Sequence, residues 1–226
     1  MKTKYKIAIV GDSHTKEWVW LKKHFYSKEI DIVLVNKKPG KTAQGLCKQE
    51  NIDLLLDPIR ELKTQLDYLL IYLGEVDCGS ALWLKAKRNS SNVKDELTQA
   101  IQNLIKMAKA AQEEPNVNKV ILMAPVLPLV ENYKDNPGMS KIRKSITASW
   151  DERNKLTKDF CKLLKGKATK ENILYCTVNH LLIDKETSFV KQEIIENHSI
   201  HHHLKTEYGA KLWLKQIEKL ITNQEH

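Results

Sequence analysis

The sequence lacks the features that mark secreted and membrane-spanning proteins. No apolar run is long enough to cross a bilayer, and no basic segment followed by an apolar one opens the chain. The four cysteines are scattered and form no Cys-x-x-Cys pair, which favours reduced thiols. We therefore expect a cytoplasmic protein that does not enter a membrane.

Arginine is also scarce, although the chain is basic. The formal net charge is +9 at pH 7, and nearly all of the excess comes from lysines spread along the predicted helices. Surfaces that bind nucleic acid usually concentrate their charge on one face and add stacking aromatic residues. The composition therefore predicts no nucleic-acid partner, while an anionic substrate stays compatible with it.

Nucleotide-binding patterns and internal repeats are absent as well. Neither the Rossmann nor the Walker glycine pattern occurs, and no low-complexity segment or linker divides the chain. A length of 226 residues with 42% hydrophobic residues suits one core. We expect a single domain over residues 1–226.

Five short apolar segments alternate with helical patterns. Parallel neighbours need crossover helices, and a strand that is apolar throughout must be covered on both faces. The pattern predicts an α/β fold, a doubly wound, flavodoxin-like parallel sheet of five strands with helices on both faces. The predicted strands are Tyr5–Val10, Ile30–Val35, Tyr68–Leu73, Val120–Met123 and Ile173–Cys176. The predicted helices include Thr15–Phe25, a long amphipathic helix whose apolar face runs from Val93 to Ala111, Lys141–Leu164 and Thr206–Ile221. The stretch Ile52–Leu66 is compatible with either state.

The stretch from Ile7 to Thr15 carries the first candidate for chemistry. A buried strand ends at Gly11, and Ser13 follows two residues later, at the start of a helix. Open α/β sheets bind ligands at this edge, and the free N–H groups of a helix N-terminus can stabilise an oxyanion. Asp12 can satisfy N–H groups of the turn. A phosphate-binding or purely structural turn is the alternative interpretation.

Four short sequence blocks lie at the ends of the first three predicted strands and before the last predicted helix. They are Gly11-Asp12-Ser13-His14, Gly40 after the second strand, Gly74-Glu75-Val76-Asp77 after the third, and Ser199-Ile200-His201 before the last helix. Together they resemble the SGNH (GDSL-type) hydrolase family, whose members are mostly esterases and acetylesterases. The resemblance implies Ser13 as nucleophile, the N–H groups of Ser13 and Gly40 as oxyanion hole, and His201 as general base.

Three positions differ from the family pattern. Val76 stands where the oxyanion asparagine is expected, and His198 replaces the aspartate of the Asp-x-x-His block. The Gly-Glu-x-Asp-Cys form of the third block resembles a variant found in SGNH-like domains linked to bacterial polysaccharide biosynthesis, where arginine usually follows; here the residue is Gly79.

Four residues are expected to support the site. Asp12 and Asp77 are candidate organisers of its hydrogen bonds, although a carboxylate after a strand is as often a loop cap. His198 lies in the last block. His203 would share the face of His201 on an extended segment, so it is the competing candidate for the general base.

A metal site is not expected. Adjacent histidines on an extended segment point in opposing directions, so the run 201–203 cannot converge on one tetrahedral ion. No cofactor is predicted either.

Two functions remain open. One is a serine esterase, acyl hydrolase or acyltransferase that acts on a small acyl group, such as O-acetyl, of a small-molecule or carbohydrate ester. The alternative is a non-catalytic SGNH-fold binding module, a pseudoenzyme, in polysaccharide metabolism. The oligomeric state is left open.

Overall fold

Five parallel strands form one sheet in the order β2-β1-β3-β4-β5. The computed structural model describes residues 4–137, 139–184, 190–195 and 203–224. The predicted five-stranded, doubly wound sheet with helices on both faces is confirmed. The strands are β1 Tyr5–Gly11, β2 Ile30–Lys37, β3 Leu66–Tyr72, β4 Val117–Met123 and β5 Leu174–Cys176.

Eight helices connect the strands or follow them in the part of the chain that is described. The first begins directly after a 3₁₀ turn at Ser13–Thr15, and a π-helical turn at Asp77–Ala81 precedes the third. The helices are α1 Lys16–His24, α2 Gln49–Arg60, α3 Leu82–Asn89, α4 Val93–Gln112, α5 Lys141–Lys144, α6 Trp150–Lys170, α7 Asn179–Leu182 and α8 Thr206–Thr222.

The sheet is buried on both faces. Along β3, Tyr68, Leu70 and Tyr72 pack on one side, with α1 and α8. The intervening Leu69 and Ile71 pack on the other side, with α2, α4 and α6. Alternation of side chains along a strand therefore explains why every position of β3 is apolar or aromatic except Asp67.

The predicted helix Lys141–Leu164 is wrong at residues 145–149, which interrupt it. The structure has the four-residue α5, then residues 145–149 outside any helix, and then α6. Ser149 starts α6 through a capping box, because its side chain accepts from the Glu152 N–H and Glu152 accepts from the Ser149 N–H. The ambiguous stretch Ile52–Leu66 divides between the end of α2 and the start of β3.

The strand order reverses between β1 and β3, and ligands of open α/β sheets bind outside the carboxyl ends of strands at such a point. The two strands approach closely there: a Cβ atom on Gly11 would lie 2.1 Å from the carbonyl oxygen of Tyr72. Only glycine fits this position without a shift of the backbone. No helix in the described part of the chain is long and apolar enough to span a membrane.

Candidate active site

Ser13 lies in a turn that is fixed from the inside by Asp12. The Asp12 side chain is 1% exposed, and its Oδ1 atom accepts from the His14 N–H at 2.8 Å and lies 3.1 Å from Nδ1 of the His14 ring. The hydroxyl of Thr15 donates to the Asp12 carbonyl at 2.8 Å. Ser13 itself stays partly exposed at the first position of the turn, so its hydroxyl is presented at the carboxyl end of β1.

The loop after β2 lies beside this turn. The Lys38 N–H donates to the carbonyl of Gly11 at 2.8 Å, which joins the two loops where the strands end. Gly40 is exposed, and its φ of +75° lies in the left-handed region that glycine favours. Among the described residues, no acceptor binds the Gly40 N–H.

Asp77 holds the same loop from the far side. Its carboxylate accepts from the Ala43 N–H at 2.7 Å and from the Gln44 N–H at 2.9 Å. Burial raises the pKa of Asp77 to about 7, although the two N–H groups oppose this shift. Asp77 therefore ties the end of β3 to the loop that carries Gly40.

A buried ion pair lies beneath the site. Arg143 from α5 binds both carboxylate oxygens of Glu75, with N–O distances of 2.9 and 2.7 Å, and donates to the hydroxyl of Tyr133 at 3.0 Å. Both members of the pair are less than 10% exposed. The guanidinium occupies space beside Gly79, where a Cβ atom would lie 2.6 Å from Nη1 of Arg143. Arg143 from α5 thus fills the space next to Gly79, the position where the sequence variant usually has an arginine of its own.

His14 is the cation at the centre of these carboxylates. Burial lowers its pKa, but Glu75, Asp12 and Glu17 outweigh burial and raise the pKa to about 9. The Glu75 Oε2 atom lies 3.9 Å from Nδ1 of His14. The raised pKa favours the charged form of His14, and its Nδ1 atom lies beside Asp12, which disfavours His14 as the base that takes a proton from Ser13.

The histidine run before α8 reaches the site through His203. The ring of His203 lies 4.4 Å from the ring of His14, centroid to centroid, and the next residue, Leu204, is buried in the core. His201 and His198, the predicted base and the replaced acid, lie outside the described residues. The described segment places one histidine of the run beside the turn that carries Ser13.

Two side chains of the cluster were not expected from the sequence, Glu17 and Arg143. Glu17 shares the buried face of α1 with Leu21, and a carboxyl group at an apolar position four residues from Ser13 was a signal that could have found it. Arg143 had no local signal, because its partner Glu75 lies 68 residues away.

Alternative chemistry at the site is limited. Burial raises the pKa of the Cys78 thiol well above its usual range, which argues against a cysteine nucleophile. Among the described residues, no three His, Cys, Asp or Glu side chains form a group that could hold a metal ion. Val76 is half-buried and has no side-chain donor.

The fold is shared with solved structures at low sequence identity. A catalytic mutant of Axe2, an acetylxylan esterase from Geobacillus stearothermophilus, matches over 98% of this chain and 96% of its own, with a TM-score of 0.57 and 15% identity. A Bacteroides fragilis protein considered an acylhydrolase matches over 100% of this chain and 90% of its own, with a TM-score of 0.61 and 15% identity. No protein-family model and no curated protein matches the chain. At this identity the likeness establishes the fold.

The catalytic mutants of Axe2 define which residue types matter in that protein. They replace a serine, an aspartate and a histidine with alanine, and the aspartate precedes the histidine by three residues. The present chain has Ser13 at the end of β1 and histidines before its last helix. It has no aspartate three residues before His201 or His203, because those positions are His198 and Ile200.

Proposed function

We propose that this protein is a serine esterase that removes a small acyl group, such as O-acetyl, from a carbohydrate-like substrate. The observation that carries the proposal is Ser13, partly exposed on a turn at the carboxyl end of β1, where the strand order reverses. Asp12 fixes this turn from within. The shared fold of Axe2, an acetylxylan esterase, supports the reaction class and is the reason for naming a carbohydrate ester.

The chemistry proceeds in two acyl transfers. The Ser13 hydroxyl attacks the ester carbonyl while a histidine of the run 201–203 accepts its proton, and the N–H groups of Ser13 and Gly40 stabilise the oxyanion. The histidine then protonates the departing alcohol. Water, or an acceptor alcohol in a transferase, attacks the acyl-enzyme with the same histidine as base and releases Ser13.

A non-catalytic binding module is the second candidate, and Val76 favours it. With no side-chain donor at this position, the oxyanion depends on backbone N–H groups, and one missing donor costs about 10²–10³ in rate. A chain that kept the fold and lost turnover would carry this kind of replacement.

The test combines labelling with turnover. Purified protein is treated with a fluorophosphonate probe and assayed with an aryl acetate and with acetylated xylooligosaccharides. We expect labelling of the wild type, and a loss of turnover of at least about 10³-fold with no labelling in Ser13→Ala. Ser145→Ala is the matched control, because this exposed serine hydroxyl donates only to the nearby Ile142 carbonyl.

Each result has a defined meaning. Turnover of a folded Ser13→Ala protein at the wild-type rate contradicts the assignment of the nucleophile. A wild type that binds the oligosaccharide without hydrolysing it or reacting with the probe supports the binding module. Faster turnover of acetylated oligosaccharide than of aryl acetate supports the carbohydrate ester.

A further inference from the structure

Glu17 is a buried carboxyl group for which the reaction outlined above has no use. Its side chain is 1% exposed, and its Oε2 atom has no hydrogen-bond partner among the described residues. An unpaired polar group in a protein core is costly and therefore needs a reason. Burial raises the pKa of Glu17 to about 7, although His14 opposes this shift.

Glu17 lies near both the turn that carries Ser13 and the start of α8. Ser13 begins the 3₁₀ turn Ser13–Thr15, and Glu17 follows in the first turn of α1. The charge of Glu17 acts on His14, the residue after Ser13. On its other side Glu17 meets α8: a Cβ atom on Gly209 would lie 3.2 Å from Cγ of Glu17 and 3.2 Å from Cβ of Leu204. Leu204 directly follows His203.

The charges of the cluster explain why a further carboxylate is needed. The His203 ring packs against the ring of His14, and the surrounding carboxylates favour the charged form of His14, so a second positive charge at His203 would be repelled. Asp12 is engaged with His14, and Glu75 is engaged with Arg143. Among the carboxylate oxygens of the described residues, Oε2 of Glu17 is the one that is buried and has no hydrogen-bond partner.

We propose that Glu17 is the positioning residue that stabilises the imidazolium of His203, and that His203 is the histidine that takes the proton of Ser13. This inference rests on the proposed esterase function. Glu17 in α1 thus takes the role of the aspartate that His198 replaces. No carboxylate from the segment before α8 is needed for this role.

In the first step the Ser13 O–H bond breaks and an N–H bond forms on His203. The Ser13 oxygen bonds to the ester carbon, and the carbonyl π electrons move to the oxyanion. Glu17 exchanges no proton; its negative charge offsets the positive charge that appears on His203. Tyr72 also faces Glu17 and stays neutral, because burial raises its pKa well above the usual range.

The first measurement does not depend on turnover. Protein with isotope-labelled histidine is titrated by NMR, and the His203 resonance is assigned with His203→Gln. Because Glu17→Gln removes a negative charge without changing the shape of the side chain, we expect the pKa of His203 to fall by about one unit. Glu114→Gln is the matched control, since Glu114 binds Arg60 at the opposite end of the sheet.

The second measurement uses aryl acetate hydrolysis. We expect Glu17→Gln to lower kcat by about 10²-fold with little change in KM, to remove the rise of kcat with pH near 7, and to leave the melting temperature equal or higher. Glu17→Asp should recover part of the rate. His203→Gln should lose turnover and His201→Gln should keep most of it.

The two proposals fail differently. An unchanged His203 pKa in Glu17→Gln overturns the role of Glu17 whether or not the protein is an enzyme, and so does wild-type turnover of this variant in a protein that needs Ser13. Activity lost in His201→Gln and kept in His203→Gln overturns the choice of base. The third outcome separates the two proposals. If Glu17→Gln lowers the pKa of His203 as expected, but the wild type neither hydrolyses esters nor reacts with fluorophosphonate, the esterase function is refuted and the Glu17–His203 interaction stands.

Discussion

At the scale of single residues, Gly79 determines whether the buried ion pair can form. A side chain at this position would occupy the space of the Arg143 guanidinium, and its Cβ atom would also approach the Tyr133 hydroxyl at 3.1 Å and Oε1 of Glu75 at 3.2 Å. These contacts are too close for an ordinary Cβ atom. The absence of a side chain at residue 79 and the presence of Arg143 are therefore two parts of one arrangement.

We expect Gly79→Ala to destabilise the protein by about 1–3 kcal/mol, because the new methyl group displaces a guanidinium that is paired and buried. Chemical denaturation measures the change in the free energy of unfolding. Gly166→Ala is the control, since a Cβ atom there meets nothing within 4 Å and alanine is the better helix former. Equal stability of Gly79→Ala and wild type would show that Arg143 is free to move aside.

The sequence indicated part of this arrangement and could not indicate the rest. Glu75 and Gly79 stand in a recognisable block, and their place after a buried strand follows from the apolar pattern. The partner of Glu75 is another matter, because α5 reaches the site through the irregular stretch after β4. Nothing in residues 124–140 specifies that path locally, so the contact emerges only from the folded chain.

At the scale of secondary-structure elements, the crevice depends on how the loop after β2 is attached. Asp77, after β3, accepts two N–H groups of that loop, while the Lys38 N–H binds the end of β1. The loop with Gly40 is thus tied to both neighbours of the reversal point. An oxyanion donor needs this kind of attachment, since its position must be fixed before the charge develops.

We expect Asp77→Asn to lower kcat for ester hydrolysis by about 10–10²-fold, because an amide has only one acceptor oxygen and one of the two N–H groups loses its partner. Steady-state kinetics with an aryl acetate measures the loss. Asp95→Asn, an exposed change in the first turn of α4, provides the comparison. Unaltered kinetics in Asp77→Asn would mean that the loop keeps its position without the second hydrogen bond.

Elements with strong periodicity were predictable, and their junctions were less so. All five strands lie where the apolar runs placed them, since a parallel strand covered on both faces leaves few alternatives. The predicted helix Lys141–Leu164 is interrupted because Ser149 and Glu152 form a capping box that starts α6, although the apolar pattern continues through residues 145–149. A side chain that caps a helix fixes its start more firmly than hydrophobic spacing does.

At the scale of the whole molecule, the buried cluster sets the direction in which stability changes with pH. The folded-state pKa values of His14, Glu17 and Asp77 are all raised, to about 9, 7 and 7. A folded protein with raised pKa values binds more protons than its unfolded chain, so its stability falls as the pH rises through those values. Exposed carboxylates are ionised in both states above pH 5 and contribute little slope there.

We expect the melting temperature to fall between pH 5 and pH 9 by on the order of 5 °C or more. Differential scanning calorimetry at five pH values across this range tests it. Above about pH 8, where Glu17 and Asp77 are ionised in both states, the remaining fall belongs to His14, whose proton is held in the folded state and released from the unfolded chain, and His14→Gln should flatten it. A melting temperature that rises steadily to pH 9 would contradict the raised pKa values, and Glu114→Gln should leave the slope unchanged.

The contact between the rings of His14 and His203 joins residues 189 positions apart. A ribosome adds about 5–20 residues per second, so roughly 10–40 s pass between the synthesis of the two histidines. The turn with Ser13 can form early, as soon as β1 has neighbours in the sheet. Throughout that interval the ring of His14 is without the ring of His203 that packs against it in the folded chain. Timing, as well as geometry, therefore separates a chain that merely contains Ser13 from one in which His203 lies beside the turn that carries it.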